Sequence, residues 1–246
     1  MGEAEAAGAP RDLLLATKLV VPSMRPGRVA RPRLVRRLRA ATGQELVLVC
    51  APAGFGKSTL LADWVGVDGR IAAWLSLDEA DNDPVRFWRH IAAAVDAARP
   101  GVAQRAGVLV GGPGSTSVMA AVTALVNDLA AARQELLLVV DDYHLIQTAD
   151  VHRSVTFLLD HLPAPLCLAV ASRSDPPLPL ARLRARGQLV ELRAADLRFT
   201  QGEAGELFAA AAGPALPEAL LSALGERTEG WAAGLQLAAV SLRGRA

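Results

Sequence analysis

The chain has 246 residues, 52% of them hydrophobic, with 26 Lys and Arg against 25 Asp and Glu for a net charge of +1. That length accommodates one large α/β domain plus a small second one, with core enough to fold without disulfide staples, and the balanced charge supplies no long-range field favouring nucleic acid or acidic membranes. Both cysteines, Cys50 and Cys167, lie in apolar runs, which reads as two buried thiols in a reducing compartment and not as a disulfide framework.

No apolar stretch reaches the length of a membrane span, and the N-terminus carries acidic residues where a signal peptide carries positive ones, so the expectation is a cytoplasmic protein with no membrane partner. Residues 1–10 are small and acidic without apolar period and read as a disordered lead-in. An Arg-rich segment follows, from Arg25 to Arg39, in which Leu34, Val35 and Leu38 recur at helical spacing. This predicts an amphipathic helix with a basic face, either solvated or in contact with phosphate; a nucleic-acid role is disfavoured because no aromatic residues interleave.

From Leu46 onward, short apolar runs alternate with longer helical patterns. The runs Leu46 to Cys50, Ile71 to Leu75, Leu136 to Asp141, Leu166 to Ala171 and Leu189 to Leu192 read as buried strands of a parallel sheet. Asp83 before Pro84 predicts an N-cap and first helical position, opening a helix with Phe87, Trp88, Ile91 and Val95 on one face. Val118, Val122, Leu125, Val126 and Leu129 form a second stripe, and Val151, Val155, Leu158, Leu159 and Leu162 a third. Helices then cover both faces of the sheet, which is an α/β domain of P-loop type. The glycine-rich stretch Gly101 to Ser115 is expected to be a surface loop.

After Leu192 only helical signals follow. Thr200 with Glu203 predicts a capping box, Pro217 opens a helix through Leu220, Leu221 and Leu224, and Trp231, Leu235, Ala238 and Leu242 share a face on the last. The expected division is a P-loop nucleotide-binding domain over 11–195 and a small helical domain over 196–246.

The chemistry concentrates where strands end. The first strand runs into Ala51 to Thr59 (APAGFGKST), then an apolar helical pattern through Leu60, Leu61 and Trp64, which is the strand, loop and helix setting of a Walker A motif. Backbone N–H groups of such a loop, with the helix N-terminus, converge on phosphate oxygens. Ala53, Gly54, Phe55, Gly56, Lys57, Ser58 and Thr59 are therefore the candidate phosphate cradle, with the Lys57 ammonium on the β- and γ-phosphates and the Ser58 hydroxyl on magnesium. The third strand ends in Asp141 and Asp142. An acidic pair in that position also serves as an ordinary helix cap; beside Walker A it reads as Walker B, with Asp141 on the metal and Asp142 as general base for the attacking water. Arg173, after the fourth strand, would lie at the same edge and sense the γ-phosphate, the alternative being a surface salt bridge. His90, His144, His152 and His161 each read as hydrogen-bonded structural residues.

Together these residues resemble the ATPase module of the STAND signal-transducing NTPases, which are AAA-like ATPases, and within it the MalT-like large LuxR-type transcriptional regulators. The resemblance is carried by Leu15 to Leu19 (LATKL), Arg31 to Leu34 (RPRL), Ala51 to Thr59, Trp74 to Pro84 (WLSLDEADNDP), Val140 to Leu145 (VDDYHL), Ala171 to Arg173 (ASR) and Gly230 to Leu235 (GWAAGL), spread over nearly the whole chain. It implies a sheet ordered 5-1-4-3-2, which puts the two cysteines at opposite ends of adjacent strands. It also implies that Val29 and Arg31 lie by the adenine and that the segment at Gly230 and Trp231 closes the site from the helical domain, with Ala232 where many members carry proline.

The function this implies is an ATP/ADP switch with magnesium, in which slow ATP hydrolysis resets a conformational change and the ATP state self-associates. The family's winged-helix, sensor and DNA-binding domains have no counterpart here, so the expectation is the nucleotide-binding portion of a longer protein, without direct DNA contact. A free-standing P-loop NTPase or phosphotransferase is the alternative and would need an acceptor pocket or a trans-acting arginine; a non-hydrolysing scaffold is a third reading, opposed by Lys57, Ser58, Asp141 and Asp142.

Overall fold

The computed structural model describes residues 14–23, 27–40, 43–111, 118–164, 166–212 and 216–243. The proposed lead-in over 1–10 lies outside them, as do Arg25 and the 112–115 end of the expected glycine-rich loop. Five strands, β1 (Leu46–Cys50), β2 (Ile71–Ser76), β3 (Leu136–Asp141), β4 (Leu166–Ser172) and β5 (Leu189–Arg193), form a parallel sheet in the order β2-β3-β4-β1-β5. Read from the other edge, that is the expected 5-1-4-3-2.

The strands are apolar throughout because both faces are covered. Alternation divides each strand between two cores: Leu46, Leu48 and Cys50 of β1 join one, Val47 and Val49 the other, and β3 and β4 divide in the same way. The first core is closed by α3 (Pro84–Ala98), α4 (Gln104–Gly111), α5 (Val118–Ala132) and α6 (Ala149–Asp160), with α7 (Leu180–Ala185). The second is closed by α1 (Pro32–Arg39) and α2 (Lys57–Asp68), through Leu34, Leu38, Leu60, Leu61 and Trp64. Each fully buried side chain of this size contributes about 1.5–3 kcal/mol. In β1 paired with β4, Cys50 stands opposite Ser172 and Leu46 opposite Leu168, so Cys167 lies beyond the far end of β1. The cysteines also face different cores and both are free.

Local signals explain the helix starts. The Asp83 carboxylate accepts the Arg86 N–H at 2.8 Å with Pro84 in the first turn of α3. Thr200 and Glu203 exchange the two hydrogen bonds of a capping box, at 3.2 and 3.0 Å, opening α9 (Gln201–Ala212) after the short α8 (Ala194–Leu197). Helices α9, α10 (Glu218–Thr228) and α11 (Ala232–Arg243) enclose a third apolar cluster built on Leu207, Phe208, Leu235 and Ala239.

Three expectations are corrected. Within Gly101 to Ser115 the helix α4 takes up 104–111, and Ala103, just before it, is buried in the first core with Ala106 and Val110. Their three- and four-residue spacing is a helical stripe of small side chains that the flanking glycines mask. Trp231 stands apart from the buried stripe of Leu235 and Ala239; it is 38% exposed and reaches across to the loop after β1. The basic face of α1 is not left wholly to solvent, although Arg36, Arg37 and Arg39 are exposed. Arg33 bonds Glu203 and the carbonyl oxygens of Asp196 and Arg198, while Arg37 bonds Asp196. That face ties α1 to the chain entering α9.

Candidate functional site

The loop between β1 and α2 leaves a buried strand and must turn sharply before the next helix. Two of its residues carry positive φ, Gly54 at 79° and Gly56 at 76°, where only glycine is unstrained. A Cβ on Gly56 would meet nothing within 4 Å among the described residues, whereas one on Gly54 would lie 2.6 Å from the Ala233 Cβ and 2.7 Å from the Trp231 Nε1. Gly56 is thus required by conformation, and Gly54 by conformation and by the close approach of α11.

Two cavities open on this loop. The larger, about 580 Å³, is lined by Val29, Arg31, Gly54, Gly56, Ser58 and Thr59, with Arg28, Asp63, Phe199 and Gln236 from elsewhere in the chain. The smaller, about 170 Å³, is lined by Ala53, Gly54, Gly56, Lys57, Ser58 and Thr59 together with Asp142 and Arg173. The expected site residues therefore converge on a shared wall, with Val29 and Arg31 on one side and Asp142 and Arg173 on the other. Phe55 lines neither cavity; its ring packs against the second core, so only its backbone is available to the loop. Asp141 lines neither; its carboxylate accepts the Asp142 N–H at 2.9 Å, and the nearby Ser58 side chain lowers its pKa.

Electrostatics at the loop are finely balanced. Lys57 is 7% exposed and donates to the carbonyl oxygens of Ala51 at 2.9 Å and Pro52 at 3.1 Å. Burial lowers its pKa, against the pull of Asp142 and Asp141. Burial raises the pKa of Asp141, as does the neighbouring Asp142, while the bonds from Ser58 and the Asp142 N–H hold it down. Arg31, 5% exposed, spends one nitrogen on the carbonyl oxygens of Leu197 and Arg198 and stacks over Phe199 with 4.6 Å to the ring centroid. Its Nε and Nη1 have no protein partner, which in a buried guanidinium leaves donors for a ligand.

The residues fit a nucleotide and magnesium on these observations. An anion would compete with two neutral carbonyls for the Lys57 ammonium, and the Ser58 hydroxyl and the Asp141 carboxylate supply hard oxygen donors. Among the described residues there is no cluster of three His, Cys, Asp or Glu side chains that could hold a metal ion.

Three of the four histidines are hydrogen-bonded. His90 bonds Asp81, His152 bonds Tyr143 and His161 bonds the Phe157 carbonyl oxygen. His144 does not match: neither ring nitrogen has a hydrogen-bond partner, and Nδ1 stands 3.8 Å from Asp142. Its pKa is lowered by burial and by Arg173. The sequence signal was present, two residues beyond the acidic pair, but a single histidine there carries no geometry. Asp63, which pairs with Arg28, and Gln236 were also missed, because α2 and α11 meet only in three dimensions.

No protein-family model matches the chain. The serine/threonine-protein kinase PknK of Mycobacterium tuberculosis is 39% identical over 219 residues, 88% of this chain and 20% of that protein. The HTH-type transcriptional regulator MalT of Cronobacter sakazakii is 37% identical over 231 residues, 94% of this chain and 26% of that protein. The chain thus spans a fifth to a quarter of the length of these curated relatives. Among solved structures, a STAND protein with a tetratricopeptide repeat sensor, PH0952 of Pyrococcus horikoshii, superposes with a TM-score of 0.62 at 13% identity, over 86% of this chain and 29% of that one. The chain has the P-loop NTPase fold of the STAND/AAA+ type and is related in sequence to one segment of the MalT-like regulators.

Proposed function

We propose that this chain is an ATP/ADP-binding switch module of a MalT-like, LuxR-type regulator, in which nucleotide state sets whether the α9–α11 helices stay docked on the loop after β1. The observation that carries this reading is that Ala53 and Gly54 belong to the anion-shaped loop and also receive α11: Trp231 Nε1 donates to the Ala53 carbonyl oxygen at 3.0 Å and the Ala233 N–H to that of Gly54 at 3.0 Å. A ligand that reshapes the loop changes the docking surface, and such differential contact is what shifts a two-state equilibrium.

In this reading Ala53 to Thr59 form the Walker A cradle, Lys57 binds the phosphates, Ser58 and Asp141 hold magnesium, and the base and sugar occupy the larger cavity beside Val29 and Arg31. Magnesium, when bound, neutralises phosphate charge. Asp142 acts as general base for water and Arg173 distinguishes triphosphate from diphosphate, both from the smaller cavity. We divide the chain into a nucleotide-binding domain over 11–195 and a helical domain over 196–246. Hydrolysis is slow and resets the switch, and self-association follows in the ATP state, without contact to DNA or membrane from this segment. The two relatives support a control role: segments alike in a transcriptional regulator and in a protein kinase suit shared regulation better than either output.

The test is calorimetry with ADP and ATP in the presence of magnesium, on wild type and Lys57→Ala. We expect binding in wild type, loss of at least about tenfold in affinity in the variant, an ammonium–phosphate contact being worth upwards of 1.4 kcal/mol, and turnover well below the usual enzyme median of about 10 per second. Undiminished binding by Lys57→Ala defeats the cradle assignment, and turnover at ordinary enzyme rates favours the free-running NTPase.

A further inference from the structure

The stretch Trp74 to Pro84 is the most distinctive in the sequence, yet none of its side chains lines either cavity on the loop after β1. We propose that Asn82 is a positioning residue for the phosphate site, acting through the turn that carries Asp142; the inference rests on the hydrolytic reading above.

Asn82 ends a short 3-10 turn, Glu79–Asn82, that follows β2. Its side-chain amide makes five hydrogen bonds, four of them to the segment that follows β3. The Nδ2 group donates to the Leu145 carbonyl oxygen at 2.8 Å and to that of Glu79 at 3.0 Å. The Oδ1 atom accepts from the Gln147 N–H at 2.7 Å and from the Thr148 N–H and hydroxyl at 3.1 Å each. Both halves of the amide are thereby saturated. Thr148 is the N-cap of α6 yet makes no cap bond to its own helix; its hydroxyl goes to Asn82 instead.

What this side chain holds is the turn Tyr143–Leu145. Asp142 opens that turn with a positive φ of 59°, a conformation unfavourable for most residues though tolerated by Asp. The turn is tied at its start by the Asp142 N–H on the Asp141 carboxylate at 2.9 Å and closed by the Leu145 N–H on the Asp142 carbonyl oxygen at 3.0 Å. Its far end, the Leu145 carbonyl, is secured from outside by Asn82. A strained residue persists only when its surroundings over-determine it. The anchor is itself stiff, because the preceding Asp81 is fully buried and bonded to Lys18 and His90. One amide thus couples the edge-strand connection to the placement of Asp142.

The two ends of the amide separate positioning from simple capping. Asn82→Asp keeps an acceptor for the α6 start and loses the donor to Leu145; Asn82→Ala loses both. For Asn82→Asp we expect kcat for magnesium-ATP to fall at least about tenfold while the Kd for ADP stays within about twofold, a split that marks an interaction felt after binding. Hydrogen exchange over 142–146 should accelerate in the same variant while protection of α6 is retained. Wild-type kcat and wild-type exchange in both variants would overturn the proposal, as would a fall in kcat matched by an equal loss of ADP affinity. Lys57→Ala run in parallel keeps the two readings apart. If it binds nucleotide like wild type, the phosphate-site reading fails, and the exchange over 142–146 still decides what Asn82 holds.

Discussion

The indole of Trp231 donates a hydrogen bond to the backbone carbonyl of Ala53 across 178 residues of sequence. Its partner contact, the Ala233 N–H on the Gly54 carbonyl oxygen, lies in the first turn of α11. The entry to α11 is set by a second junction, where the Phe199 N–H donates to the Gly230 carbonyl oxygen at 2.8 Å, and Gly230 itself adopts a φ of 70°. The helical module therefore touches the loop through a stiff corner and not through a flexible tether.

That corner should report nucleotide state. Trp64, Trp74 and Trp88 are at most 2% exposed and Trp231 is 38% exposed, so acrylamide quenching reads chiefly Trp231. If ATP loosens the docking, quenching rises from the ADP-bound to the ATP-bound protein. Trp231→Phe removes one hydrogen bond worth about 0.5–1.5 kcal/mol, and ADP release should speed by roughly two- to tenfold. Equal quenching in all states, with unchanged ADP release in the variant, would remove the corner from the switch.

The two loop glycines should differ when substituted. Gly56→Ala meets open space and pays only for positive φ, about 1 kcal/mol. Gly54→Ala adds a methyl 2.6 Å from the Ala233 Cβ, which cannot be accommodated without moving α11; overpacking of this kind costs a further 1–3 kcal/mol, roughly. Urea denaturation gives the stabilities, and trypsin cleavage after the exposed Arg198 and Arg227 reads the docking of the helical module. Faster cleavage is expected in Gly54→Ala alone; equal behaviour of the two variants would contradict the contact.

Acid should release the N-terminal segment. Asp81 is fully buried, and burial alone would raise its pKa, yet hydrogen bonds from His90, Lys18 and the Asp78 N–H together lower it to about 2. A carboxylate depressed in the folded state stabilises the protein above its unfolded pKa near 3.8, and that stabilisation disappears as pH falls through about 2. The shift corresponds to about 2 kcal/mol. Asp81→Asn should lose at least that at neutral pH, since the buried Lys18 would keep only the part-exposed Asp78 as a charged partner, and its stability should vary less between pH 4 and 2 (about the titration window). A wild-type urea midpoint at neutral pH in the variant would count against the pairing.

Much of this molecule was legible from one dimension. The strand runs, the caps at Asp83 and Thr200, and the sheet order implied by the family resemblance all stand. They depend on alternation, on short-range hydrogen bonding and on a topology shared across related chains. The candidate loop residues lie near one another because a parallel sheet brings the C-terminal ends of β1, β3 and β4 to one edge, with Ser76 opposite Asp141 and Cys50 opposite Ser172.

What failed was reading that required knowing a neighbour. The stretch around α4 looked like a loop because glycine masked a stripe of alanines whose burial depends on α3 and α5. The acidic partners of Arg33 and Arg37 on α1, Glu203 and Asp196, went unread because they arrive from more than 150 residues away. His144 looked ordinary for the same reason.

Local sequence thus determined the strands, most of the helices and the turn of the loop after β1, since helix periods, caps and glycine conformations are decided within a few residues. Tertiary structure alone decided which buried donors are left unpaired, where Trp231 lands and what holds Asp142, because those depend on distances between segments that the chain order does not encode.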